Sequence, residues 1–199
     1  MITYIRGEFK EIHPARLVVE AGGLGYEVHI SLNTYSALSG QSQGVVYVQE
    51  VIREDAHLLY GFADEMERDL FLLLVSVSGV GPSMGRMILS SLSPQEVVQV
   101  IGSQDERTLK GVKGIGLKTA QRILVDLKDK VQTLEQGGLP LAGGKVTGVP
   151  AGGTSEAAIS ALVMLGFQSA SARKVVVELV KESPSMPVEK IIKDALRRL

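Results

Sequence analysis

The chain has 199 residues, enough for two or three compact units, and 45% of them are apolar, which supplies real cores and excludes global disorder. There is no cysteine, so disulfides and cysteine-based metal sites or nucleophiles are excluded, in keeping with a reducing cytoplasmic setting. With 21 Lys and Arg against 22 Asp and Glu the formal net charge is −1, so affinity for a polyanion has to come from local clustering.

The N-terminus, Met1-Ile2-Thr3-Tyr4-Ile5-Arg6-Gly7, reads as a native start and has no basic stretch followed by an apolar one, so it is not a signal peptide. No apolar run approaches the roughly 18–20 residues of a membrane span. The expectation is a cytoplasmic protein without membrane contact. Residues 1–62 read as strands. Leu17, Val18 and Val19 lie between turn signals at His13-Pro14 and Ala21-Gly22-Gly23, and Tyr26, Val28 and Ile30 alternate with Glu27, His29 and Ser31. Val45 to Ile52 is rich in β-branched residues, and Leu58-Leu59-Tyr60-Gly61-Phe62 follows a short polar break. Five short strands with a helical turn near Thr34–Leu38 predict a small closed barrel of the OB type. This stretch carries four Lys and Arg against seven Asp and Glu, a net of −3.

After Phe62 the period becomes helical. Asp64 is placed to cap a helix with apolar positions Met66, Leu70, Phe71, Leu73 and Leu74, and Ser93-Pro94-Gln95-Glu96 reads as a cap, a proline at the first helical position and an acid near the helix start. Residues 107–130 hold seven basic side chains (Arg107, Lys110, Lys113, Lys118, Arg122, Lys128, Lys130) against Asp126 and Asp129, a net of +5. Charge alone leaves open whether this is a solvated helical face or a polyanion site. Residues 136–153 contain seven Gly and two Pro and are expected to form a flexible linker. Residues 154–199 resume a helical pattern. Helix starts at Thr154-Ser155-Glu156, at Ser169 or Ser171, and at Pro187-Val188-Glu189 predict a small three-helix unit.

An internal repeat carries the chemistry. Val77-Ser78-Gly79-Val80-Gly81-Pro82-Ser83-Met84-Gly85-Arg86-Met87-Ile88-Leu89 aligns with Val112-Lys113-Gly114-Ile115-Gly116-Leu117-Lys118-Thr119-Ala120-Gln121-Arg122-Ile123-Leu124. A Gly-aliphatic-Gly turn makes a tight hairpin between two helices, the aliphatic residue plugs the helix pair, and a small residue (Gly85, Ala120) lets the helices approach. The second helix of each pair then starts with free N–H groups pointing outward, an anion site suited to a DNA phosphate, to which Lys118 or Arg122 adds charge. A lone Gly-x-Gly before a helix is often only a turn; the tandem repeat favours backbone binding over a purely structural pair. A nucleotide loop is excluded, because the preceding segments are helical and no Gly-x-x-x-x-Gly-Lys-Ser/Thr occurs.

Arg53-Glu54-Asp55-Ala56-His57-Leu58-Leu59-Tyr60-Gly61-Phe62, the two hairpins, the loose linker and Ala161-Leu162-Val163-Met164-Leu165-Gly166-Phe167 together resemble the RuvA family, the Holliday-junction-binding subunits of bacterial branch-migration machines. The resemblance spans essentially the whole chain. It implies a multidomain α+β protein: an OB-type barrel (1–62), a tandem helix–hairpin–helix DNA-binding domain (63–135), the linker (136–153) and a three-helix domain (154–199) that binds a RuvB-type hexameric AAA+ ATPase. It also implies a homotetramer that spreads a four-way junction flat, a second tetramer able to close the other side, and a RuvC-type resolvase as a further partner. No cofactor or metal is expected. The DNA-binding set is Gly79, Val80, Gly81, Ser83 and Arg86 with Gly114, Ile115, Gly116, Lys118, Thr119 and Arg122.

Glu54 and Asp55 match the family's acidic pin. Read alone, they sit on a solvated hairpin tip; at the centre of a fourfold assembly their carboxylates would repel phosphates and favour strands that separate. Ser83 departs from the lysine expected there: it offers one hydrogen bond, and Arg86, one turn on, is the candidate to supply the charge. For the third unit, with seven Lys and Arg against five Asp and Glu, DNA is a poor ligand. Leu162, Leu165 and Phe167, with the Val175–Val177 run, are the candidate motor contacts, less those the core claims.

Two other classes stay in view. A nuclease or glycosylase needs a catalytic Lys or Asp soon after the second hairpin or a metal-binding acid cluster; Asp126 is near, but on an ordinary amphipathic pattern, and His13, His29 and His57 are scattered without metal spacing. An interaction module of ubiquitin-associated type is suggested by Met164-Leu165-Gly166-Phe167, as a description of the third unit's shape.

Overall fold

The computed structural model describes residues 1–135, 154–183 and 186–199, and the linker expected at 136–153 lies outside them. The described residues fall into two compact units, 1–135 and 154–199.

The first unit opens with strands β1 (Tyr4–His13), β2 (Arg16–Ala21) and β3 (Leu24–Ile30), helix α1 (Leu32–Leu38), and strands β4 (Gln43–Ile52) and β5 (His57–Phe62). They close into a barrel in the order β1-β2-β3-β5-β4, antiparallel except for the β3–β5 pair, as expected of an OB barrel. Alternation builds its interior: Leu17 and Val19, Val28 and Ile30, and Val46 and Val48 point inward every second residue and are buried. β1 serves two neighbours, β4 with its first half and β2 with its second. At Gly7 the strands pack too closely for a side chain, since a Cβ would lie 2.0 Å from the Glu20 carbonyl oxygen, and the register with β2 shifts between Phe9 and Glu11.

Five helices follow: α2 (Glu65–Ser76), α3 (Pro82–Ser91), α4 (Pro94–Gly102), α5 (Glu106–Gly111) and α6 (Leu117–Glu135). Their starts are chemically marked. The Asp64 carboxylate accepts from the Glu67 N–H at 2.8 Å, Ser93 and Glu96 form a reciprocal capping box with Pro94 at the first helical position, and Asp105 accepts from the Thr108 N–H. Leu70, Phe71, Leu74, Ile88, Leu89, Ile101, Leu109, Ile123 and Leu127 make the helical core. Tyr60 and Phe62 of β5 belong to the same core, with the Phe62 and Phe71 ring centroids 4.9 Å apart. The change of period at Phe62 therefore marks a change of element inside continuous packing.

The second unit is three helices, α7 (Thr154–Met164), α8 (Ser169–Glu182) and α9 (Val188–Ala195), around Ala158, Ile159, Leu162, Ala172, Val176, Leu179, Ile191 and Ala195. No helix among the described residues is long and apolar enough to cross a membrane.

Candidate nucleic-acid interface

The two repeats fold into the same object. In the first, the Val80 N–H donates to the Val77 carbonyl at 3.0 Å, Gly79 has φ of +92°, and the Gly81 carbonyl accepts from the Gly85 N–H at 2.9 Å. In the second, the Ile115 N–H donates to Val112 at 3.1 Å, Gly114 has φ of +93°, and Gly116 accepts from the Ala120 N–H at 2.9 Å. Val80 and Ile115 are buried plugs. The small residue is needed where the helices meet, since a Cβ on Gly85 would lie 3.2 Å from the Phe71 ring and from Val75, and Ala120 is fully buried.

The surroundings of the outer glycines differ from this. A Cβ built on Gly81 or Gly116 meets nothing within 4 Å. Neither glycine can cap its helix with a side chain, so the first N–H groups of α3 and α6 face that open space without a cap. Pro82 opens α3 and has no N–H, leaving Ser83 and Met84 as donors there. α6 opens with Leu117, Lys118 and Thr119, all with N–H groups.

The flanking side chains sharpen the asymmetry. Ser78 and Ser83 bracket the first hairpin where Lys113 and Lys118 bracket the second. Ser83 and Lys118 are exposed and Thr119 is half-buried. Arg86 does not turn wholly outward: its Nη1 donates to the Ala15 carbonyl at 3.1 Å, in the turn between β1 and β2. Arg122 reaches across instead, its Nη1 donating to the Ser78 carbonyl at 2.9 Å and lying 3.2 Å from the Ser78 hydroxyl. A cation of the second repeat thus stands on the turn of the first. The seven basic side chains of 107–130 are all exposed.

Glu54 and Asp55 are exposed at the tip of the β4–β5 hairpin, whose loop is closed by the Arg53 N–H donating to Ala56 at 2.8 Å. The tip is braced from below: His57 Nε2 and Glu50 Oε1 are 2.7 Å apart, and Glu50 also accepts from the Ile2 N–H. The His57 bond, against the pull of partial burial, holds the Glu50 carboxyl below its ordinary range. His29 on β3 is half-buried beside Tyr60; burial, aided by the nearby Arg86 charge, lowers its pKa and favours the neutral ring. Among the described residues no group of three or more His, Asp or Glu could hold a metal.

In the second unit Leu162 is fully buried in the core between α7 and α8, so it is withdrawn from the candidate motor contacts: its burial is required to hold the three helices together. Leu165 is 60% exposed; Phe167 is half-buried and lines an open cleft of about 480 Å³ together with Lys174, Val175 and Arg198. Of the Val175–Val177 run, Val176 is core and Val177 is exposed. Sequence reasoning passed over Glu50, Glu67 and Asn33. Asp64-x-x-Glu67 has the spacing of a helix-start box, but the Glu67 carboxylate turns to the Ala63 N–H and to α1 and does not close that box.

A closed five-stranded barrel continued by a tandem helix–hairpin–helix unit, with uncapped helix starts on open ground, defines a DNA-binding protein of the tandem helix–hairpin–helix class. Family models agree along the chain: RuvA N terminal domain over residues 1–61, the SAM-like helix-hairpin-helix tandem over 71–129, and RuvA, C-terminal domain over 155–199. Proteins named Holliday junction branch migration complex subunit RuvA from Parabacteroides distasonis, Bacteroides thetaiotaomicron and Porphyromonas gingivalis are 59%, 53% and 49% identical, each aligned over the whole of both chains. The chain belongs to the RuvA family.

Proposed function

We propose that this chain binds four-way DNA junctions without reading their sequence, holds them open and planar, and recruits a RuvB-type hexameric ATPase for branch migration in recombination and repair. The observation that carries the reading is the pair of congruent hairpins, each with uncapped helix-start N–H groups beside a glycine whose Cβ direction is empty. Nothing among the described residues requires glycine at 81 or 116; close approach of a phosphate does. The second hairpin is the stronger grip, with three N–H donors, Lys113 and Lys118, while Arg122 brings charge to the first. Gly79, Val80, Gly114 and Ile115 shape the turns, and Ser83 and Thr119 add hydroxyls. Arg86 is held partly by the barrel, so its share in the first grip is smaller than Arg122's.

Four copies around a junction would bring Glu54 and Asp55 together at the crossover, where the carboxylates disfavour a continuous duplex and admit separated strands. The chain supplies no chemistry of its own in this reading; the ATPase sits in the partner, which docks on Leu165, Phe167 and the cleft beside them. A RuvC-type resolvase has access to the open face of a single tetramer. The test is a gel-shift titration of a four-way junction against linear duplex. Junction binding should be preferred, fall steeply with salt as phosphates are neutralised, and hold when arm sequences are scrambled. A strong dependence on arm sequence, or cleavage of labelled junction in Mg²⁺, overturns the reading. Light scattering gives the oligomeric state.

A further inference from the structure

Three polar side chains are buried among the described residues, Ser31, Thr34 and Glu67, and they form one cluster. The Ser31 hydroxyl donates to Glu67 Oε1 at 2.5 Å, the Thr34 hydroxyl donates to Oε2 at 2.6 Å, and the Ala63 N–H donates to Oε2 at 3.3 Å. Ser31 and Thr34 belong to the start of α1, in the barrel; Glu67 lies in the first turn of α2, the helix that runs into the first hairpin. A second tie lies beside it. The Asn33 amide donates to the carbonyls of Leu89 and Leu92, the latter at 2.9 Å, and the Leu32 N–H donates to the Ser90 hydroxyl at 3.2 Å. These groups close α3, the helix that leaves the same hairpin. Both helices of the first hairpin are therefore bonded to α1, the incoming one at its start and the outgoing one at its end.

A buried carboxylate is an expensive way to fill a joint. An apolar side chain of similar size would cover the same surface without desolvating a charge. What the carboxylate adds is direction: it is satisfied in one arrangement of α1 against α2 and is left wanting partners in any other. We infer that Glu67 and Asn33 are positioning residues that hold the first hairpin at a fixed distance and angle from the barrel and its acidic tip, so that phosphate grips and tip fit one branched DNA together. The second hairpin shares this placement through Arg122 on Ser78. The inference rests on the junction-binding reading above. Its particular consequence is that the grips themselves survive loss of the ties, because the bonds of each hairpin turn are its own. Binding to plain duplex stays while preference for a branch is lost.

The experiment compares wild type, Glu67→Gln, Glu67→Ala and Asn33→Ala as full chains, each titrated with a four-way junction and with a linear duplex of the same arm sequences. Amide hydrogen exchange across 31–38 and 65–76 reports the joint directly. Glu67→Gln is the conservative rescue: its carbonyl still accepts, and the Ser31 hydroxyl can turn to accept from the new amide. It should match wild type in both assays. Glu67→Ala and Asn33→Ala should lose roughly tenfold or more in the junction-to-duplex affinity ratio with duplex affinity nearly unchanged, and should exchange faster at the joint. If Glu67→Ala does not fold, Asn33→Ala decides alone. An unchanged ratio in a folded variant, parallel loss of junction and duplex binding, or failure of Glu67→Gln to rescue overturns the inference. Absence of junction preference in wild type removes the functional reading itself, and is seen before any variant is compared.

Discussion

An alanine at Gly79 or Gly114 has to hold φ near +92° or +93°, where a Cβ crowds the backbone. Either substitution should lower stability by about 1–2 kcal/mol in urea unfolding. Gly81→Ser and Gly116→Ser should behave in the opposite sense. Serine is a preferred residue before a helix, so stability should hold or rise, yet the added hydroxyl would occupy the open ground and cap the free N–H groups, and junction affinity should drop. Binding left intact in Gly116→Ser would remove that glycine from the interface. Lys118→Ala should weaken junction binding roughly tenfold and Ser83→Ala less, because a charged contact is worth more than a hydroxyl one; gel-shift titration orders the two. Glu67 adds a pH signature. Burial raises its carboxyl pKa, and the bonds from Ser31, Thr34 and the Ala63 N–H only partly offset this, so ionisation works against the fold. That penalty is absent below the ordinary carboxylate range and complete above the raised pKa. Glu67→Gln should therefore melt above wild type at neutral pH, with the gap closing as pH falls through the carboxylate range; a gap that widens on acidification contradicts it. The glycines were legible because backbone conformation is local. Glu67 was not, nor was the hold of Arg122 on Ser78, because these contacts are made with partners 36 and 44 residues away.

At the level of elements, period did most of the work. β3 alternates cleanly, β2 was marked by its flanking turns and β4 by its β-branched residues, and the α2 and α4 starts were written in Asp64 and Ser93. β1 alternates too, with Ile5, Gly7 and Phe9 covered between exposed Tyr4, Arg6, Glu8 and Lys10, but its phase shifts at the bulge between Phe9 and Glu11, so that Ile12 is the next covered residue. Leu162 was ambiguous for a different reason. A three-helix unit has few apolar positions, and sequence does not say which of Leu162, Leu165 and Phe167 turns inward; the cap at Gly166, φ +98°, is what throws Leu165 out and Phe167 partly back. The β4–β5 hairpin was legible as a polar turn and not as a braced one, since Glu50 and His57 meet only across the strand pair. Its charge can be removed without changing its shape. Glu54→Gln with Asp55→Asn should keep or tighten junction binding and raise duplex binding relative to it, by relieving repulsion at the crossover. Loss of junction binding in a folded double variant would make the tip an attractive element.

For the molecule as a whole, the two compact units predict a division of labour. A truncation ending at Glu135 keeps the barrel, both hairpins and the helical core, and should fold and bind junctions as the full chain does. It should fail to stimulate the partner ATPase or move a branch point in a strand-exchange assay; retained stimulation would place the docking surface in the first unit. The barrel's strand order also has a mechanical side. β5 starts at His57, next to the acidic tip, and leads through Phe62 into α2. It is hydrogen-bonded on both edges, to β4 from Tyr47–Phe62 to Ile52–His57 and to β3 at Tyr60 and Gly61. A load applied along such a strand is shared by all its bonds at once in shear, whereas a load across it would open them one after another. On the proposed function, DNA drawn over the tip by a motor would push along a strand held by β4 along its length, by β3 at its far end, and anchored in the helical core. The tip would then act as an anvil and not as a spring: the work of the motor would go into parting strands, with little lost in bending the protein that holds them.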